Sequence, residues 1–182
     1  NTASRVYASV SGGENNKASG ISSSISGGER NIASGWHSSV NGGIINMASG
    51  MNSSVSGGSG NKSLGSSDSV NGGVDNIAFG TGASVNGGYG NVAFGYMSSA
   101  IGGENGLAQG NYAVVIGGST GKDAHNAVAV GPSSVVTVSH GTAIGYQSTT
   151  DESGTIAFGH DAGDVSGYTV TWYQRTDKDL DG

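Results

Sequence analysis

The chain has no cysteine, one proline, and few aromatics or charges: aromatic residues make up 7% of it and charged residues 11%. Without cysteine there are no disulfides and no thiolate zinc or iron sites, which leaves the compartment open. The scarcity of proline and the modest net charge of −6 argue against a disordered chain, which would normally be rich in one or the other. No basic cluster is present, so nucleic acid is not an expected partner. No apolar run approaches the ~18 residues of a membrane helix, and no secretory leader is legible. The text starts in the middle of a repeated phrase, as expected of a segment from a longer protein.

What is abundant is glycine, 36 residues of 182, and it is placed with a fixed period. Gly-Gly pairs begin at Gly12, Gly27, Gly42, Gly57, Gly72, Gly87, Gly102 and Gly117, always 15 residues apart. Counted from the first Gly, the phrase reads G-G-x-x-N-x-A-x-G-x-x-S-S-V-S/N. Position 5 is Asn16, Asn31, Asn46, Asn61, Asn76 and Asn91. Position 7 is Ala18, Ala33, Ala48, Ser63, Ala78, Ala93 and Ala108. Position 14 is Ile25, Val40, Val55, Val70 and Val85, then Ala100 and Val115. Linker sequence does not hold some positions fixed and free others, so each phrase is a structural unit.

Glycine at every half-phrase disfavours helix. It marks two turns, read here as sites of positive φ. The stretches between have the length of short strands. Two strands and two turns make one flattened coil of an all-β solenoid, with parallel strands stacked about 4.8 Å apart. The recurring Asn either stacks as an amide ladder inside the coil or caps a turn in the left-handed region. One Val or Ile and one Ala per coil form a thin core. A second buried face is therefore expected, most simply from identical chains, giving a homo-oligomer.

After Gly117 the step shortens to 14, through Gly131, Gly145 and Gly159. The strands now end in "NAVAVG" (126–131), "GTAIG" (141–145) and "TIAFG" (155–159). The large apolar side chain has moved next to the Gly, which transfers bulk to the opposite strand face. The shift begins at Ile101 and is complete by Ile116. The expected organisation is 15-residue coils over 1–101, 14-residue-type coils over 102–163, and a cap strand or next domain over 164–182.

These strands resemble the head repeats of trimeric autotransporter adhesins, the YadA-like family, and the "NxASGxxSSVSGG" phrase resembles variant head repeats of the same family. The resemblance covers about residues 1–163. It implies a left-handed parallel β-roll assembled as a homotrimer. It also implies an adhesin on the bacterial surface, anchored in the outer membrane by a part of the protein outside this segment. Its partners would be a host receptor, extracellular matrix, another bacterium or a glycan. The alternatives are a structural spacer that projects another adhesive domain, and a phage-type fibre. The 15-residue step and the missing neck motif depart from the family pattern.

No catalytic set is legible, and the protein is not expected to be an enzyme. No G-x-S-x-G elbow occurs. Hexapeptide acyltransferase coils are multiples of six residues, which neither 15 nor 14 is. His37, His125, His140 and His160 share no tight metal-ligand spacing and read as solvated turn residues. No cofactor is expected. The tail "DKDLDG" does place Asp177, Asp179 and Asp181 at the alternate positions of a calcium loop, without the later acidic residue that completes one. A polar turn after the β-rich stretch 168–176 is the plainer reading.

Binding falls to the free positions 3, 4, 6, 10 and 11, because fixed positions build a solenoid and free ones decorate it. These become large in two sets: Trp36, Ile44, Ile45, Met47 and Met51, then Tyr89, Tyr96, Met97 and Tyr112. Both sets are candidates either for a ligand surface or for the interface between subunits.

Overall fold

The computed structural model describes residues 1–159 and the backbone of Tyr168–Thr171. Among these residues there is no helix. The chain winds as a parallel β-solenoid in which each coil gives one strand to each of two sheets. Sheet A takes position 6 and 7 strands such as Ile32–Ala33 and Met47–Ala48, and sheet B takes position 13 and 14 strands such as Ser39–Val40 and Ser54–Val55. Register is strict: Ile32 pairs with Met47 and Val40 with Val55, so every residue stacks on its counterpart one phrase later.

Strand alternation sorts the phrase. Positions 7 and 14 point inward, and Ala33, Val40, Ala48 and Val55 are fully buried. Positions 6 and 13 point outward. The space between the sheets holds one Ala facing one Val or Ile per coil, a column too thin for anything larger.

The sheets join at two edges. Edge one carries a Gly-x-x-Ser turn, in which the Ser38 hydroxyl donates to the Gly35 carbonyl at 2.8 Å. The positive φ at this turn belongs to His37 (φ 55°), not to the glycine. That corrects the expectation that both glycine points are sites of positive φ. Gly35 is required for another reason: a Cβ there would overlap the carbonyl of Gly50 in the next coil. Edge two carries the Gly-Gly turn, where the second glycine does take positive φ (Gly43, 83°).

The recurring Asn is inside edge two. Asn31 is fully buried, and its Oδ1 accepts the backbone N–H of Asn46 at 2.9 Å. Its Nδ2 donates to the Gly27 carbonyl at 3.0 Å and the Gly43 carbonyl at 2.9 Å. One side chain thus ties its own turn to the next, and the same bonds recur from Asn16 to Asn91. The left-handed conformation falls on the preceding residue, such as Asn15 or Arg30. Buried backbone groups must find partners, and the Asn column supplies them where the ladder turns a corner.

Strand pairing continues through the change of step, from Ser99–Ala100 to Val114–Ile116 to Val128–Val130 in sheet B. The turns do not stay constant. Edge two spans residues 101–106 in one coil, only 117–118 in the next and 131–134 in the one after. Edge one lengthens from 109–113 to 121–127, then returns to 137–141. In sheet A the step is consequently 12 residues (Leu107 to Ser119), then 16 (Ser119 to Val135), and only then 14.

These turns shift the phrase by half a coil. "IASGWHSSV" (32–40) runs from sheet A over edge one to sheet B. Its counterpart "VAVGPSSVV" (128–136) runs from sheet B over edge two to sheet A, as does "TAIGYQSTT" (142–150). The turn keeps its hydrogen bond and its left-handed third residue, the Ser134 hydroxyl donating to the Gly131 carbonyl at 2.8 Å and φ being 58° at Ser133, but the glycine itself now takes positive φ, 117° at Gly131 and 105° at Gly145. The core is therefore reversed. Buried Ala129 and Ala143 now lie in sheet B, and buried Thr120 and Val136 in sheet A. At the end, the backbone of Tyr168–Thr171 pairs antiparallel with Thr155–Phe158. The rest of 164–182, including Asp177, Asp179 and Asp181, lies outside the described residues, as does His160.

Candidate binding surface

The large side chains singled out from the sequence do not form two compact sets. The first set divides among three surfaces. Trp36 (57% exposed) and Met51 follow each other along edge one, and the Asn52 N–H donates to the Trp36 carbonyl at 2.7 Å. Ile44 and Ile45 lie across the roll on edge two, both exposed. Met47 is half-buried on the outer face of sheet A. In the second set, edge one brings Tyr96, Met97 and Tyr112 together. The Tyr96 and Tyr112 rings meet edge to face at 5.4 Å, and the Tyr112 N–H donates to the Tyr96 carbonyl at 2.8 Å. Tyr89 is on edge two, one coil above Glu104.

Three of these residues are also strained. Ile45, Met97 and Tyr112 take φ of 58°, 51° and 57° at turn positions that Asn, Ser or Gly occupy in other coils. A bulky or β-branched residue in that region is unfavourable, and such strain persists where the surrounding structure overrides local preference.

The outer face of sheet A holds residues that the sequence reading passed over. Position 8 is Ser34 and Ser49 in early coils, then Leu64, Phe79 and Phe94. The Phe79 and Phe94 rings stack with centroids 5.0 Å apart and planes 3° from parallel, and each is about half exposed. Ile77, Val92 and Leu107 flank them in the position 6 row, half-buried. The signal was the replacement of Ser by Leu and Phe at a position not counted among the free ones. On sheet B the early coils present Ser24, Ser39, Ser54, Ser69 and Ser84, whereas the late coils present Val128, Val130, Ile144, Ile156 and Phe158.

Of the described histidines, His37 sits in an edge-one turn, His125 Nδ1 accepts the Asn111 N–H at 3.0 Å, and His140 stacks one coil on, its N–H donating to the His125 carbonyl at 2.9 Å. Among the described residues no group of three or more His, Cys, Asp or Glu is placed to hold a metal. An open groove lies at the two-residue turn, lined by Gly103, Glu104, Asn105, Gly117, Gly118 and Ser119 among others. Asp68 takes the buried Ser place of the edge-one turn, where it accepts the Gly65 N–H at 2.7 Å and the Ala83 N–H at 2.9 Å. Burial raises its pKa above the usual carboxylate value despite these bonds.

No curated protein matches the chain. The YadA head domain repeat matches it twice, at residues 123–148 and 139–162. Both matches fall on the late coils, where the apolar strand ends belong to sheet B. Two YadA head repeats carried on a parallel β-solenoid fit a YadA-like head domain.

Proposed function

We propose that the chain is the head of a trimeric autotransporter adhesin. It is held on the bacterial surface by an outer-membrane anchor elsewhere in the protein, and it attaches the cell noncovalently to host cells, matrix proteins, glycans or other bacteria. The observation that carries this reading is the pair of YadA head repeats on the solenoid's late coils. Three chains pack through the apolar outer face of sheet B, where Val128, Val130 and Ile156 are only half-buried in the single chain. In the late coils a core of one Ala facing one Val or Thr gains its second buried face in this way. The trimer then repeats shallow edge surfaces three times, so avidity replaces a deep pocket. The reading assigns the protein no reaction and no cofactor.

Light scattering on a size-exclusion column tests the assembly. A β-rich particle of three chain masses is expected, and a monomer at all concentrations would overturn the trimer. Adhesion to immobilised matrix proteins, glycans and bacterial cells tests the function. Trp36→Ser with Tyr96→Ser is expected to weaken attachment and leave the mass unchanged. Undiminished attachment by that folded variant would move the edge-one aromatics out of the binding surface and favour the spacer role.

A further inference from the structure

Asn precedes the Gly-Gly pair in three coils, as Asn41-Gly42, Asn71-Gly72 and Asn86-Gly87, where Ser11, Ser26 and Ser56 hold the same place in others. A fourth Asn-Gly step is Asn105-Gly106. This dipeptide has a chemistry of its own. The glycine nitrogen carries no neighbouring side chain to shield it, and once deprotonated it can attack the Cγ of the Asn before it. The free rotation of a glycine backbone lets the five-membered ring close.

The fold separates the four steps. Asn41, Asn71 and Asn86 are exposed at the ends of sheet B strands. Among the described residues none accepts the N–H of Gly42, Gly72 or Gly87. A Cβ on any of these glycines would meet nothing within 4 Å, so the ring has room to form. Gly106 is different. It is buried, and its N–H donates to the Asn91 Oδ1 at 2.7 Å. Its surroundings are also crowded, with Asn91 Oδ1 2.8 Å and a Val115 methyl 3.3 Å from where a Cβ would stand. The inner Asn column is protected twice: its amides are bonded, as at Asn31, and each is followed by Lys, Ile, Met or Val.

We infer that Asn41, Asn71 and Asn86 are sites of self-deamidation, with water as the co-reactant. At Asn41 the Gly42 nitrogen loses its proton to solvent base and bonds to Cγ. The Cγ–Nδ2 bond breaks, and Nδ2 takes a proton from water and leaves as ammonia. Water then opens the cyclic imide. Attack at Cγ gives Asp, and attack at the main-chain carbonyl gives isoaspartate, in which the chain runs through Cγ. Either product carries a carboxylate where a neutral amide stood. Three conversions take the formal net charge from −6 to −9. The new charges fall in one row beside edge two, where Asn71 and Asn86 already touch across one coil through an Nδ2–Oδ1 bond of 2.5 Å. The early coils therefore turn more anionic as the molecule ages, and only synthesis of new protein resets them.

The test incubates the purified chain at mildly alkaline pH, folded and in urea, and follows each Asn by peptide mass spectrometry. In the folded chain Asn41, Asn71 and Asn86 are expected to gain the mass difference between OH and NH2, faster at higher pH, while Asn105 keeps its amide. In urea all four steps are expected to convert. Anion exchange of the folded protein is expected to show a growing acidic shift. Asn41→Ser/Asn71→Ser/Asn86→Ser is expected to show none, and circular dichroism confirms that this variant is folded. Gly42→Ala puts a methyl beside the attacking nitrogen and is expected to slow conversion at Asn41 alone. A folded chain that keeps the three amides while the unfolded chain loses them would overturn the proposal. So would a folded chain in which Asn105 converts as fast as the other three.

Discussion

The Oδ1 atom of Asn61 accepts the backbone N–H of Asn76, fifteen residues later, at 3.0 Å. The Nδ2 of Asn61 donates to the carbonyls of Gly57 and Gly73 at 2.8 and 2.9 Å. Truncation therefore orphans two backbone groups, the buried Asn76 N–H and the Gly57 carbonyl, while the Gly73 carbonyl keeps the Ser59 N–H at 3.0 Å. Asn61→Ala is expected to destabilise the chain by about 2–4 kcal/mol, since each buried unpaired group costs about 1–3 kcal/mol. Asn61→Asp keeps the acceptor, loses the donors and adds a buried charge, so it is expected to be at least as harmful. Urea denaturation followed by circular dichroism measures both.

Glycines of one phrase differ in what they tolerate. Gly35→Ala sets a methyl against the Gly50 carbonyl, backbone on backbone, and is expected to cost about 3 kcal/mol or more. Gly42 has open space around it and no positive φ. Gly42→Ala is expected to be neutral or to stabilise by about 0.4–1 kcal/mol through the unfolded state. The two denaturation midpoints should move in opposite directions or differ widely; equal shifts would contradict the stacking argument.

Ile45 is exposed and takes φ of 58°. Ile45→Asn, the residue type found at Asn15 and Asn105 in the same place, is expected to raise stability by about 1 kcal/mol, the scale of the left-handed penalty. A thermal melt that shows no gain would mean that Ile45 makes compensating contacts.

Asp68 gives the chain a pH dependence that its Ser counterparts do not. Its folded pKa is raised, chiefly by burial. The folded state therefore holds the proton more tightly than the unfolded one. This contribution is fully present below the ordinary value of 3.8 and is lost as pH rises through the folded pKa. Asp68→Ser removes it. The stability of the variant relative to wild type is expected to rise between pH 3 and neutrality, as read from urea midpoints at several pH values. A relative stability that stays flat or falls over that range would contradict the raised pKa.

Ala78 and Val85 are fully buried in successive strands of one coil, Ala in sheet A and Val in sheet B. Late coils use the reverse arrangement. Ala78→Val is expected to cost about 1–3 kcal/mol by overpacking, and Val85→Ala about 2 kcal/mol by leaving a cavity. The double exchange restores the volume and is expected to cost at least about 1 kcal/mol less than the sum. Simple additivity would show that the two sites do not share a space.

The edge aromatics show how far the text of a coil reaches. Trp36 and Tyr96 were legible as large residues at free positions, and both are exposed on edge one. Ile44 and Trp36 are eight residues apart, yet they lie on opposite edges, because each half-coil crosses the roll. Phe79 and Phe94 were passed over because position 8 reads as fixed Ser in the first coils. Their pairing across fifteen residues exists only once coils are stacked.

By itself the sequence determined the period, the two turns per phrase, the inward column of Ala and Val, and the move of bulk toward the glycine after Ile101. Each of these follows from local chemistry: glycine at turns and alternation along strands. For the recurring Asn the sequence left two places open, and the stacking of coils put it inside edge two. Tertiary structure alone decided which sheet each strand joins. The phrase at 32–40 and the phrase at 128–136 share the Gly-x-x-Ser bond and a left-handed third turn residue, but a two-residue turn at 117–118 and a seven-residue turn at 121–127 stand between them. Those turns keep the strands stacked while the phrase slips half a coil, so an apolar strand end that faces outward from sheet A at Phe79 does so from sheet B at Phe158. Which side of the roll a residue faces is set by the strand it stacks upon, and that partner lies a full coil away in the chain.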